Sequence, residues 1–125
     1  MKKLIGENIL IDILNLKNEF LTKKFLLNLL KKLNILMNFT PVGKPVVKNI
    51  SSNKYPHKGY SIFQIVKESH ISFHTWSEYN YLAIDIFSCK KLPKNKLKSL
   101  LRKFLETKGG KIKIKIKALP REITI

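Results

Sequence analysis

The sequence predicts an α+β fold, a two-layer sandwich in which helices cover one face of an antiparallel sheet. Three observations carry this. The patterned segments run strand, helix, several strands, helix, strand along the chain. Two of them repeat apolar residues at helical spacing, whereas the last alternates strictly with period two. The chain has 125 residues, enough for one domain, 1–125, with one modest core.

The first strand is read at Asn8 to Leu14, an apolar run with Asp12 embedded. A helix follows over Glu19 to Met37, where Phe20, Phe25, Leu26, Leu29, Leu30, Leu33 and Leu36 form a stripe with lysines between. Asn18 or Thr22 is placed to cap its start. Thr40 to Asn49 is extended, and Pro41 and Pro45 limit it to a sheet edge or a loop. Ser51 to Gly59 is rich in turn formers. Tyr60–Lys67, Ile71–Trp76 and Tyr81–Cys89 read as strands. Pro93 to Glu106 is a second amphipathic helix with Leu97, Leu100, Leu101, Phe104 and Leu105 on one side, ended by Gly109-Gly110. Lys111 to Lys117 alternates strictly, as a strand with one buried face does, and its lysines guard a free edge.

The formal net charge is +17, from 25 basic and 8 acidic residues. Such a balance can mark a binder of nucleic acid or anionic membrane. Arginine does most base-edge and bidentate phosphate recognition, yet only Arg102 and Arg121 are present. The lysines therefore read as a solvated surface, and nucleic acid is not an expected partner. No apolar run is long enough to span a bilayer, and the first residues soon meet Glu7 and Asp12, unlike a secretory signal. Cys89 is the only cysteine. A lone thiol fits a reducing compartment, so a cytoplasmic protein is expected.

Chemistry-bearing residues crowd into Glu68–Glu78 and the strand Tyr81–Cys89. This stretch holds two of the three histidines, the only tryptophan, the only cysteine and three of the eight acids. Strand parity puts Ile71, Phe73 and Thr75 on one face and His70, Ser72, His74 and Trp76 on the other. Leu82, Ile84 and Ile86 likewise oppose Ala83, Asp85, Phe87 and Cys89. Each strand thus has an apolar face for the helices and a mixed face for a site or a partner. His70 and His74 would share one metal ion on a helix, but on a strand they stand about 13 Å apart, so no metal is expected. A Cys89/His74 hydrolase remains a chemical alternative, though no oxyanion-hole signature is readable.

The motifs Glu68-Ser69-His70, His74-Thr75-Trp76-x-Glu78 and Asp85-x-Phe87-x-Cys89 closely resemble those of the small prokaryotic S-adenosylmethionine decarboxylases. Ser61, eight residues before Ser69 in a Gly59-x-Ser61 context, is at the family spacing too. Ser77 stands where the family has proline, and Asn8 where its first strand usually has histidine.

The resemblance implies a pyruvoyl-dependent decarboxylase made as a proenzyme. Ser69 would attack the carbonyl of Glu68, and the chain would part between them into a β chain, 1–68, and an α chain, 69–125. Former Ser69 would become the pyruvoyl group that forms a Schiff base with the substrate amine. His74 would take the α-proton during processing, and Ser61 would stabilise the acyl-shift intermediate. Cys89 would be the proton donor in catalysis. Glu78 would bind ribose hydroxyls, and Tyr55 would lie against adenine. The implied substrate is S-adenosylmethionine, for spermidine and other polyamine synthesis. A related arginine or ornithine decarboxylase and, more remotely, a basic nucleic-acid-binding module are the alternatives. The implied assembly is a homodimer of processed αβ pairs, their sheets packed into a four-layer αββα arrangement.

Overall fold

The computed structural model describes residues 1–51, 58–106 and 111–125. The elements are β1 (Lys2–Leu14), α1 (Lys23–Leu36), β2 (Val46–Ser51), β3 (Lys58–Val66), β4 (Ser69–Trp76), β5 (Tyr81–Ser88), α2 (Lys94–Glu106) and β6 (Lys113–Thr124), with short 3-10 turns at Asn18–Phe20 and Ser77–Tyr79. The six strands form one sheet in the order β2-β3-β4-β5-β1-β6. Every neighbouring pair is antiparallel. Both helices pack on one face, which is the predicted α+β two-layer architecture.

Local sequence explains most boundaries. Phe20 closes a 3-10 turn, and α1 starts four residues later than its apolar stripe suggested. Thr22 is its cap, with Oγ1 accepting a hydrogen bond from the Phe25 N–H at 3.3 Å. Pro41 makes a single bridge to Val66, and β2 begins just after Pro45, at the sheet edge. β1 and β6 are longer than predicted because their polar outer halves pair with each other, Lys2 with Thr124 and Lys3 with Ile123. Backbone pairing, not burial, holds those ends. Gly109 and Gly110, expected to end α2, lie outside the described residues.

The core is one cluster between sheet and helices. Ile9, Ile11 and Ile13 of β1, Ile71 and Phe73 of β4, and Leu82, Ile84 and Ile86 of β5 meet Leu26, Leu29, Leu30 and Leu33 of α1 and Leu97, Leu101 and Leu105 of α2. Each such side chain contributes about 1.5–3 kcal/mol on leaving water. Phe25 ties the helices together against Phe104, ring centroids 4.8 Å apart.

Among the described residues, no layer covers the other face of the sheet. It carries large apolar side chains left well exposed, from Leu10 at 38% through Phe63 and Leu119, each at 41%, to Ile65 at 53%. His70, His74, Asp85, Asn8 and Arg121 stand among them. Among the described residues, no helix is long and apolar enough to cross a membrane.

Candidate active site

The Glu68–Ser69 peptide lies at the tight turn between β3 and β4, where Val66 pairs with Ser69. Three constraints meet there. The Glu68 carbonyl accepts a hydrogen bond from the Cys89 N–H at 2.9 Å. The Glu68 side chain accepts another, from the Thr40 N–H at 2.8 Å. Ser69 itself has φ 149°, a value that residues with a Cβ rarely adopt, and such backbone costs of order 1–3 kcal/mol. The Thr40 N–H holds the Glu68 carboxyl below its ordinary carboxylate range, with Lys90 and Lys67 adding to the effect.

Cys89 follows β5 directly, and its thiol is exposed. Its closeness to the turn depends on Gly6 of β1. A Cβ there would run into the Ser88 carbonyl oxygen and stand 2.9 Å from the Cys89 Cα. Glu7, beside it, is buried and secures the chain beyond Cys89. One carboxylate oxygen accepts from the Leu92 N–H at 2.8 Å, and the other pairs with Lys94 at 3.1 Å.

A second cluster occupies the other end of the same strands. Ser61 of β3 is in register with His74 of β4, and Ser61 Oγ lies 2.9 Å from His74 Nδ1. Gly59 permits this register, since a Cβ there would collide with Thr75, whose Oγ1 would be 2.7 Å away. Thr75 Oγ1 also accepts from the Tyr60 N–H at 2.8 Å. Glu78, in the 3-10 turn after β4, accepts from the Lys58 N–H at 3.0 Å. Tyr55 lies outside the described residues.

One chain therefore brings Glu68, Ser69 and Cys89 together, and separately pairs Ser61 with His74, with Glu78 held at the start of β3. It does not bring the two sets together. Ser69 and His74 are five residues apart on an extended strand, about 16 Å at ordinary strand rise.

Between the clusters, the open face carries a polar network. Arg121 Nη1 donates to Asn8 Oδ1 at 2.7 Å, and Asn8 Nδ2 donates to Asp85 Oδ1 at 3.2 Å. Further along, the Tyr81 hydroxyl donates to Asp12, and the Tyr81 ring stacks on Trp76 at 5.1 Å. Partial burial, together with the Asp12 carboxylate, pushes the Tyr81 phenol up to about 12. A phenol whose folded pKa is raised contributes stability below its unfolded value, near 10, and loses it as pH climbs to about 12. In an alkaline melting series, the parent chain is expected to lose stability more steeply between about pH 10 and 12 than Tyr81→Phe does. Equal slopes would show that the pair is not coupled.

Sequence reading missed Thr40, Glu7 and Arg121 as parts of the candidate site and its supports. Thr40 acts through its backbone N–H, which leaves no side-chain signal. Glu7 shares parity with Ile9, Ile11 and Ile13, so an acid on the buried face was the clue available. Among the described residues, no group of three His, Cys, Asp or Glu side chains is placed to hold a metal ion.

Comparison with known proteins concerns the chain as a whole. The S-adenosylmethionine decarboxylase family profile matches residues 7–121. An S-adenosylmethionine decarboxylase proenzyme of Clostridium botulinum (strain Loch Maree / Type A3) is 32% identical over 113 residues, covering 89% of this chain and 92% of that one. A protein of the same name from Pyrobaculum islandicum is 34% identical over 58 residues, 46% of either chain. The crystal structure of the adenosylmethionine decarboxylase from Aquifex aeolicus VF5 superposes with a TM-score of 0.73 at 21% identity, covering 98% of this chain and 95% of that one. With the match spanning nearly its whole length, the chain belongs to the S-adenosylmethionine decarboxylase family.

Proposed function

We propose that this chain is a proenzyme that cleaves itself between Glu68 and Ser69 and then decarboxylates S-adenosylmethionine, supplying the aminopropyl donor for spermidine synthesis. One observation carries the reading. The carbonyl that must be attacked is held by the Cys89 N–H at 2.9 Å, beside a Ser69 whose backbone is strained.

That N–H polarises the Glu68 carbonyl and stabilises the oxyanion formed as Ser69 Oγ adds to it. The C–N bond then breaks, the hydroxyl proton passes to the Ser69 nitrogen, and an ester replaces the amide. Removal of the Ser69 α-proton expels Glu68 as a carboxylate, giving a β chain, 1–68. Loss of ammonia to water leaves a pyruvoyl group at the start of an α chain, 69–125. The residues around Ser69 fit that group, since Glu68 is held on the side that departs and the Cys89 thiol stands exposed on the side that remains.

When bound in the mature enzyme, the pyruvoyl group supplies the carbonyl that takes up the substrate amine and the electrons left by CO₂. Cys89 Sγ is then the proton source for the substrate carbon. Glu78, an acceptor-only carboxylate, suits the ribose hydroxyls, and Tyr55 the adenine ring.

His74 is the base that takes the Ser69 α-proton, imidazole being the side chain most often used for such transfers. Ser61 supports the acyl-shift intermediate. Because these two lie about 16 Å along the strand from their own Ser69, they serve the Ser69 of a second copy. A two-fold pairing of the open faces brings the His74 end of one sheet to the Ser69 end of the other. It also buries Leu10, Phe63, Ile65 and Leu119, which one chain leaves exposed. The assembly is then a homodimer of processed αβ pairs with four layers, αββα.

The test is a denaturing gel with intact mass, followed by CO₂ release from labelled S-adenosylmethionine and labelled arginine. The mature protein is expected as two fragments that release CO₂ from S-adenosylmethionine. Cys89→Ser is expected to cleave but to turn over about 100-fold more slowly. Release from arginine, with none from S-adenosylmethionine, would overturn the substrate.

A further inference from the structure

The Glu68 side chain is not needed by the chemistry of self-cleavage, which uses only its carbonyl. The fold nevertheless spends a backbone donor on it. Thr40 is bound twice by the turn: its N–H donates to Glu68 Oε1 at 2.8 Å, and its carbonyl accepts from the Lys67 N–H at 2.9 Å. The same segment continues alongside β3, with the Val42 N–H donating to the Ile65 carbonyl at 2.9 Å and Pro41 bridging Val66. From the other side, Lys90 reaches the Asn38 carbonyl at 3.1 Å and lies over the Phe39 ring. Glu68 is therefore clamped at its side chain by the segment after α1 and at its carbonyl by Cys89. The φ of 149° falls on the very next residue.

We infer that Glu68 is a positioning residue for self-cleavage, its side chain holding the acyl half of the scissile peptide on Thr40 so that Ser69 is kept in a strained backbone which the acyl shift relieves. The inference rests on the self-cleavage reading. The torsion φ of Ser69 is rotation about its N–Cα bond, defined by the Glu68 carbonyl carbon on that nitrogen. The shift moves that carbon from nitrogen to Oγ, freeing the nitrogen as an amine. The strained torsion then no longer exists, so its energy favours ester over amide. Strain is useful only if both sides of the bond are fixed. Without the Glu68 anchor, the turn can relax by swinging residue 68 and keep its amide. The Thr40 N–H favours the ionised form of the carboxylate that it holds.

The experiment follows cleavage of freshly synthesised chain over time on denaturing gels, with a melting curve for each variant. Glu68→Ala is expected to cleave about tenfold or more slowly than the parent, while Glu68→Gln, which keeps an oxygen acceptor, stays within about threefold. Thr40→Pro removes the N–H but keeps the carbonyl, and should be as slow as Glu68→Ala. The double variant should be no slower than either single one, since both break one contact. Parental speed for Glu68→Ala, or a Gln variant as slow as Ala, would overturn the inference, as would multiplying defects in the double variant. If Thr40→Pro fails to melt cooperatively, the Ala and Gln comparison decides alone. A parent chain that never cleaves would instead remove the self-cleavage reading, and this inference with it.

Discussion

The Ser69→Ala chain is expected to run as one band at 14.6 kDa and to release no CO₂ from S-adenosylmethionine above background. The parent should give two fragments, one ending at Glu68 and one starting at position 69. The reason is atomic. The methyl of alanine has no oxygen to receive the acyl group, so the amide persists and no carbonyl electron sink is made. The loss is that of the whole catalytic advantage, at least about a millionfold. Folding should be unaffected, because the serine hydroxyl has no role in the core. Melting of the uncut variant near the parent's midpoint would separate lost chemistry from lost structure. An intact Ser69→Ala chain with measurable decarboxylation would refute the proposed cofactor.

Much of the candidate site was legible in the sequence because its residues lie close together along the chain. Glu68, Ser69 and His74 sit on one turn and the strand after it, and Cys89 directly follows the next strand, so the motif is visible without knowledge of the fold. The helices and central strands were legible because burial imposes period on Leu26–Leu33, Leu97–Leu105 and Leu82–Ile86. What lay hidden acts through the backbone. The Thr40 N–H leaves no mark in a side-chain pattern, and neither does the pairing that carries β1 back to Lys2 and β6 on to Thr124. Gly6 and Gly59 were visible as letters, but their reason, close approach to Ser88 and Thr75, exists only in three dimensions. The separation of the two clusters was within reach of sequence reasoning. The strand rise that keeps His70 and His74 from sharing one ion also keeps His74 from its own Ser69. Strand geometry keeps the two apart within one chain.

That separation gives the second large effect, which is a test of who serves whom. Two chains, each unable to complete cleavage alone, are produced together: His74→Ala, with an intact Ser69 but no base, and Ser69→Ala, with an intact His74 but no precursor. If each site takes Ser69 from one protomer and the Ser61–His74 pair from its partner, a mixed dimer contains one site with both halves intact. Its Ser69 belongs to the His74→Ala chain, so that chain should be cut. The Ser69→Ala chain should stay whole. With equal amounts and random pairing in a two-fold dimer, about half of the His74→Ala chains find such a partner and about half should be cleaved, against almost none when either variant is made alone. A mass tag on one chain identifies which was cut. Cleavage confined to one protomer predicts no rescue at any mixing ratio, and that result would require the strand between Ser69 and His74 to fold back on itself. The six-stranded sheet gives it no room to do so, since β4 is paired along its whole length, by β3 from Ser69 to His74 and by β5 from Ser69 to Trp76.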